Sequence, residues 1–101
     1  MNQGKTPLFD ILKRYSEQET FSYHVPSHKN GQLFAEFALT FFQSVLAIDA
    51  TEITGLDDLH DAEGCIEEAQ SLLRDLYKTE ASYFLINGST VGTLAMILAT
   101  C

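Results

Sequence analysis

The chain offers one convincing β-strand, and a lone strand leaves its backbone N–H and C=O groups without a ladder partner. Residues 82–86 (Ser-Tyr-Phe-Leu-Ile) are rich in aromatic and apolar side chains, end at the turn pair Asn87-Gly88, and read as that strand. After it Ser89 or Thr90 is expected to cap a helix through Leu94, Met96, Ile97, Leu98 and Ala99. That helix is apolar on nearly all sides, so it is expected to be buried. Strand, glycine turn and buried helix together predict an α/β protein, mostly helical in this piece. Two readings of the unpartnered strand remain open. It pairs with residues 21–25 or with a second copy of the chain, or the chain is the front part of a larger α/β protein.

Three further helices are expected from spacing. Thr6-Pro7 reads as an N-cap and first helical residue, and Leu8, Ile11, Leu12 and Tyr15 then recur at helical intervals, giving a helix over 7–18. A second covers 33–48, with Phe34, Phe37, Ala38, Phe41 and Val45 on one face and Phe42 and Leu46 widening it. So broad an apolar surface predicts cover on more than one side. Asp61 is expected to cap a third helix over 62–78, whose apolar face is Ile66, Ala69, Leu73, Leu76 and Tyr77. Between the first two helices, residues 20–31 read as extended chain, then a loop. Phe21 and Tyr23 alternate with Ser22 and His24, Pro26 forbids a helix, and Asn30-Gly31 signals a turn.

Charge narrows the function. Fourteen acidic side chains against six basic ones, a formal net charge of −8, lack the clustered Lys and Arg that a nucleic acid or an anionic membrane surface requires. The most apolar stretch, 91–101, is too short to span a bilayer. Two cysteines make neither a disulfide framework nor a zinc set, which points to a reducing compartment and a cytoplasmic protein. Both thiols are expected to be buried and inert.

Three clusters carry chemistry. At Gly88-Ser89-Thr90, free N–H groups of a helix start, a glycine that permits close approach and two hydroxyls suit a phosphate; an ordinary helix cap is the alternative. His24, His28, Lys29 and Asn30 crowd into the loop from His24 to Gly31, which Pro26 and the glycine pin. The His24/His28 spacing would serve a metal only on a helix, which Pro26 prevents, so no metal is assigned. The loop lines a ligand pocket or is a solvated segment with local hydrogen bonds. Asp57-Asp58-Leu59-His60-Asp61 reads as a capping loop, with cation binding or tuning of the histidine as the alternative.

In this order, these segments resemble the pyridoxal-phosphate-dependent Orn/Lys/Arg decarboxylases, in particular the bacterial arginine/lysine branch. The resemblance rests on Pro7-Leu8-Phe9, on the loop His24-Val25-Pro26-Ser27-His28-Lys29-Asn30-Gly31, on residues 49–64, and on Phe84 through Gly92. It covers the chain from about Pro7 onward. It implies a fold-type-I, aminotransferase-like α/β architecture, with residues 1–61 a helical segment carrying the active-site loop and 62–101 the start of the large cofactor domain. It implies pyridoxal 5'-phosphate as cofactor, its phosphate on Gly88, Ser89 and Thr90, and His24, His28 and Lys29 near the active site at a dimer interface. The expected substrate is a basic amino acid (arginine, lysine or ornithine), and the expected assembly a homo-oligomer. The family's cofactor-bonding lysine lies downstream of these segments, so no catalytic residue is assigned here and this piece alone is expected to be inactive. The chain departs from the family pattern at Ser27, where the loop usually has glycine, at Thr93, where asparagine is expected, and at Ala62, where proline is common. A glycine at positive φ replaced by Ser27 would strain the loop. A different class of function also fits the acidic charge and the two apolar helices: a non-catalytic interaction module or truncated paralogue that docks on a full-length enzyme or on itself.

Overall fold

The computed structural model describes residues 1–18 and 21–101. Thr20, where the extended segment was expected to begin, lies outside them. Four helices follow one another: α1 (Pro7–Ser16), α2 (Glu36–Leu46), α3 (Cys65–Tyr77) and α4 (Ser89–Thr100).

Helix α1 starts at Pro7 as its spacing predicts. The Thr6 hydroxyl does not cap the backbone; it donates instead to the Asp10 carboxylate at 3.1 Å. Leu8, Ile11 and Leu12 turn inward and Tyr15 is buried. They face α3, the only helix pairing among the described residues. A cavity of about 200 Å³ between α1, the residues around Leu56 and the start of α3 is lined by Leu8, Ile11, Leu12, Leu56, Cys65 and Ile66. The N-terminal arm lies along α3. The Gln3 amide donates to the Leu72 carbonyl and to Asp75, and the Lys5 ammonium meets Glu68 at 2.7 Å.

The interior is small. Tyr15, Leu46, Leu56 and Leu72 are its buried apolar members, and no described side chain is fully enclosed. The accessible surface is 7907 Å², against about 5,700 Å² for a compact chain of this mass. The radius of gyration is 16.5 Å, where about 13 Å is usual for this length.

Several expectations are corrected. Residues 82–86 form no strand, and no described residue does. Segment 21–25 does not pair with them, and without a ladder an apolar alternation is only unpaired chain. Helix α4 forms but is not buried, with Leu94 54% and Leu98 81% exposed. Helix α2 is not covered on its phenylalanine face either: Phe37 is 85% and Phe41 81% exposed. Its inner side is Leu39 and Leu46, beside which the buried Gly31 sits, so that an added Cβ would be in ordinary contact with both. The face expected to be covered is thus the outward one, and the inner side is the one that meets Gly31. Of the expected α3 face, Ile66, Ala69 and Leu73 are half-buried, whereas Leu76 and Tyr77 are exposed.

Candidate functional site

The loop from His24 to Gly31 is ordered by hydrogen bonds that reach α1 on one side and the segment after α2 on the other. Pro26 blocks helix formation, and the chain then turns through three consecutive left-handed residues, Lys29 (φ 51), Asn30 (φ 55) and Gly31 (φ 88). Positive φ does not fall at Ser27, so the strain expected there is absent. Asparagine and glycine accept this region readily; Lys29 occupies it at a steric cost of about 1 kcal/mol. The Lys29 ammonium donates to the His24 carbonyl, closing the loop on itself.

Each of the two histidines of this loop has both ring nitrogens engaged. His24 Nδ1 lies 2.5 Å from the Val25 carbonyl, and His24 Nε2 lies 3.0 Å from the Tyr15 hydroxyl. That hydroxyl also reaches Asn30 Oδ1, at 3.3 Å. His28 Nδ1 accepts the Gly31 backbone N–H at 3.1 Å, and His28 Nε2 meets Asp49 Oδ2 at 3.0 Å. The His28 side chain is 13% exposed and that of Asp49 56%. The structure therefore joins Lys29 to His24, while His28 bonds Gly31 and Asp49 instead. Asn30 belongs to the loop cluster already legible in the sequence; Tyr15 and Asp49 are partners that sequence reasoning did not assign. Tyr15 looks like a core residue on the α1 stripe, and Asp49 lies 21 residues from His28.

The turn before α4 is built differently. Gly88 is the N-cap, with φ 74, and Ser89 and Thr90 are the first helical residues, not the cap. No side chain caps this helix. No atom lies within 4 Å of a Cβ added at Gly88, so the turn is open, and Ser89 and Thr90 are exposed. Orphan N–H groups, two hydroxyls and an unobstructed glycine form a donor set that fits a phosphate oxyanion. No hydrogen bond joins this turn to the His24 loop among the described residues.

The acidic run is a capping loop, but through Asp57 and not Asp61. Asp57 Oδ1 accepts the N–H groups of Asp58 (3.0 Å) and Glu63 (3.1 Å); its Oδ2 accepts those of Gly64 (2.9 Å) and Ile66 (2.8 Å). Asp57 thus caps α3 from seven to nine residues away. Burial pushes its carboxyl up, but the four backbone donors outweigh that and hold the pKa at about 2. Asp58 Oδ1 accepts the His60 backbone N–H at 2.8 Å. No three metal-ligating side chains converge among the described residues. Burial, joined by the Asp57 charge, raises the pKa of the neighbouring Cys65 thiol, which disfavours the reactive thiolate. Cys101, expected to be buried, is exposed.

Comparison with known proteins gives these features a common origin. The model of the Orn/Lys/Arg decarboxylase major domain matches residues 6–101. The chain belongs to the Orn/Lys/Arg decarboxylase family. Its relatives include the uncharacterized protein YaaO of Bacillus subtilis, 49% identical over 95% of this chain and 20% of that protein. An arginine decarboxylase of Bacillus anthracis is 35% identical over 100% of this chain and 21% of its own length. The constitutive ornithine decarboxylase of Escherichia coli is 26% identical over 83% of this chain and 13% of the enzyme. The chain thus spans about a fifth of the length of the first two of these relatives. No solved structure matches it. No described helix is long and apolar enough to cross a membrane. Every segment that carried the resemblance falls within the matched residues: Pro7-Leu8-Phe9, the His24 loop, the acidic run and the turn before α4.

Proposed function

We propose that this chain supplies the N-terminal part of a pyridoxal-phosphate-dependent decarboxylase acting on arginine, lysine or ornithine. In this reading residues 1–61 carry the active-site loop and 62–101 open a fold-type-I cofactor domain. The observation that carries it is the open, uncapped start of α4, in a chain whose family is that of the basic amino-acid decarboxylases. Backbone N–H groups at Ser89 and Thr90, with their hydroxyls, hold the cofactor phosphate, and Gly88 keeps the approach clear. The cofactor, when bound, supplies the electron sink for loss of carbon dioxide. His24, His28 and Lys29 line the substrate side, held by Tyr15, Asn30 and Asp49. No residue of this chain is assigned the covalent bond to the cofactor.

The outward apolar faces of α2 and α4 support assembly into a homo-oligomer with sites built between subunits. The two unlinked cysteines support a cytoplasmic location. The same outward faces favour a second reading, a non-catalytic module that docks on a full-length enzyme.

Titration of pyridoxal phosphate against the chain and against its S89A/T90A variant, followed by cofactor absorbance, separates the two. The cofactor reading expects binding by the chain, weakened about tenfold or more in the variant, since losing one to two hydroxyl hydrogen bonds is worth roughly 1.4 kcal/mol or above. Equal binding by both, or none by either, removes it.

A further inference from the structure

The two histidines of the loop are partnered in chemically different ways, and this divides their roles. A carbonyl oxygen only accepts, so His24 Nδ1 must carry hydrogen toward Val25, 2.5 Å away. Neutral His24 then has a bare Nε2, which accepts the Tyr15 O–H at 3.0 Å. A backbone N–H only donates, so His28 Nδ1 must be bare toward Gly31, and its Nε2–H donates to Asp49. The rings are thereby fixed in opposite tautomers.

They also differ in what a second proton would do. At His24 the new hydrogen goes on Nε2, where its partner is a hydroxyl, able to accept as well as donate. Tyr15 Oη accepts from Nε2–H, and its own hydrogen turns to Asn30 Oδ1, 3.3 Å away. Every donor keeps an acceptor. At His28 the new hydrogen would go on Nδ1, against the Gly31 N–H. Two donors would then face each other at Gly31, which is buried. The polar groups that meet the His24 side are the Tyr15 hydroxyl from α1, Asn30, and the Lys29 ammonium on the His24 carbonyl; no carboxylate bonds that ring among the described residues. His28 meets Asp49 from the segment after α2.

We propose that His24 is the proton-carrying residue of this loop, that Tyr15 and Asn30 are its positioning residues, and that His28 is a fixed strut. This deepens the reading above, since it rests on the loop lining the active site, but its test needs no cofactor. In the ¹⁵N-labelled chain, ring nitrogen resonances at neutral pH are expected to show His24 with hydrogen on Nδ1 and His28 with hydrogen on Nε2. On acidification, the step that protonates His24 is expected to shift the Asn30 side-chain amide resonances and leave the Gly31 backbone amide in place. The step that protonates His28 is expected to move the Gly31 amide and broaden the loop.

Two variants test the partners. Tyr15→Phe removes the hydroxyl and is expected to lower the fraction of His24 carrying hydrogen on Nδ1. Asn30→Gly keeps the left-handed backbone but removes the second acceptor. It is expected to leave the neutral spectrum intact and to make the His24 step disturb the Gly31 amide. His24 with hydrogen on Nε2 at neutral pH, a Gly31 amide that moves with His24 in the unmodified chain, or a Gly31 amide with no ordered resonance overturns the proposal. Failure to bind pyridoxal phosphate with these assignments intact falls on the α4 turn alone.

Discussion

Asp57 is the side chain whose loss should be most visible in the fold. Its two oxygens take four backbone N–H groups, three of them at the entry to α3. Asp57 sits at φ 50, which alanine tolerates poorly, so Asp57→Ala would mix backbone strain with lost bonding. Asp57→Asn is the cleaner perturbation, because asparagine accepts the left-handed region. It turns one oxygen into an NH₂, removes two of the four acceptances and cancels the charge at a helix N-terminus. Two charge-assisted bonds partly replaced by water, with the helix-dipole contribution, amount to about 2 kcal/mol. The acid behaviour of the unmodified chain bears on the same side chain. The folded pKa of about 2 lies below the ordinary 3.8. The contribution is therefore complete above pH ~4 and disappears as pH falls toward 2. Allowing for solvent on one side of the carboxylate, the shift corresponds to roughly 1–2 kcal/mol. Urea titration followed by circular dichroism at 222 nm, at pH 7 and at pH 2.5, measures both. Asp57→Asn should lose stability at pH 7 and lose much less on acidification than the unmodified chain. Equal stability at pH 7, or an identical acid response, would refute the clamp.

Two shorter predictions follow from the surface. Asp75 is held near 2 by hydrogen bonds from Lys78, the N-terminal ammonium and Gln3, so Asp75→Asn should free the N-terminal arm from α3. Amide hydrogen exchange should rise over residues 1–5 while α3 stays protected, and unchanged exchange in the arm would contradict this. Phe41→Asp places a charge in the exposed apolar stripe of α2, and should shift the chain toward its monomer in size-exclusion chromatography with light scattering. An unaltered association state would assign assembly to another surface.

The elements legible in the sequence are those set by local rules. Pro7 opens α1, Pro26 keeps the His24 loop from becoming a helix, and Asn87-Gly88 turns the chain into α4. What was not legible depends on contacts distant along the chain. Asp61 stands where a cap belongs, but Asp57 reaches across the loop to do the capping, because the left-handed turn at Asp57 aims its carboxylate back at the helix. Residues 82–86 have the composition of a strand without a neighbour to make one. The candidate histidines were visible as a cluster. Their partners were not, because Tyr15 advertises itself as core and Asp49 as solvated surface.

The helix-to-helix packing of the described residues belongs to α1 and α3, whereas many of the large outward apolar side chains belong to α2, α4 and residues 21–23. This division predicts two separable kinds of genetic lesion. Substitutions at Ile11, Tyr15 or Leu72 should lower the amount of folded chain in the cell. Substitutions at Phe37, Phe41 or Leu98 should leave that amount intact and act only on what the chain joins. Within this one small polypeptide, abundance and partnership are encoded by different sets of side chains and can vary independently.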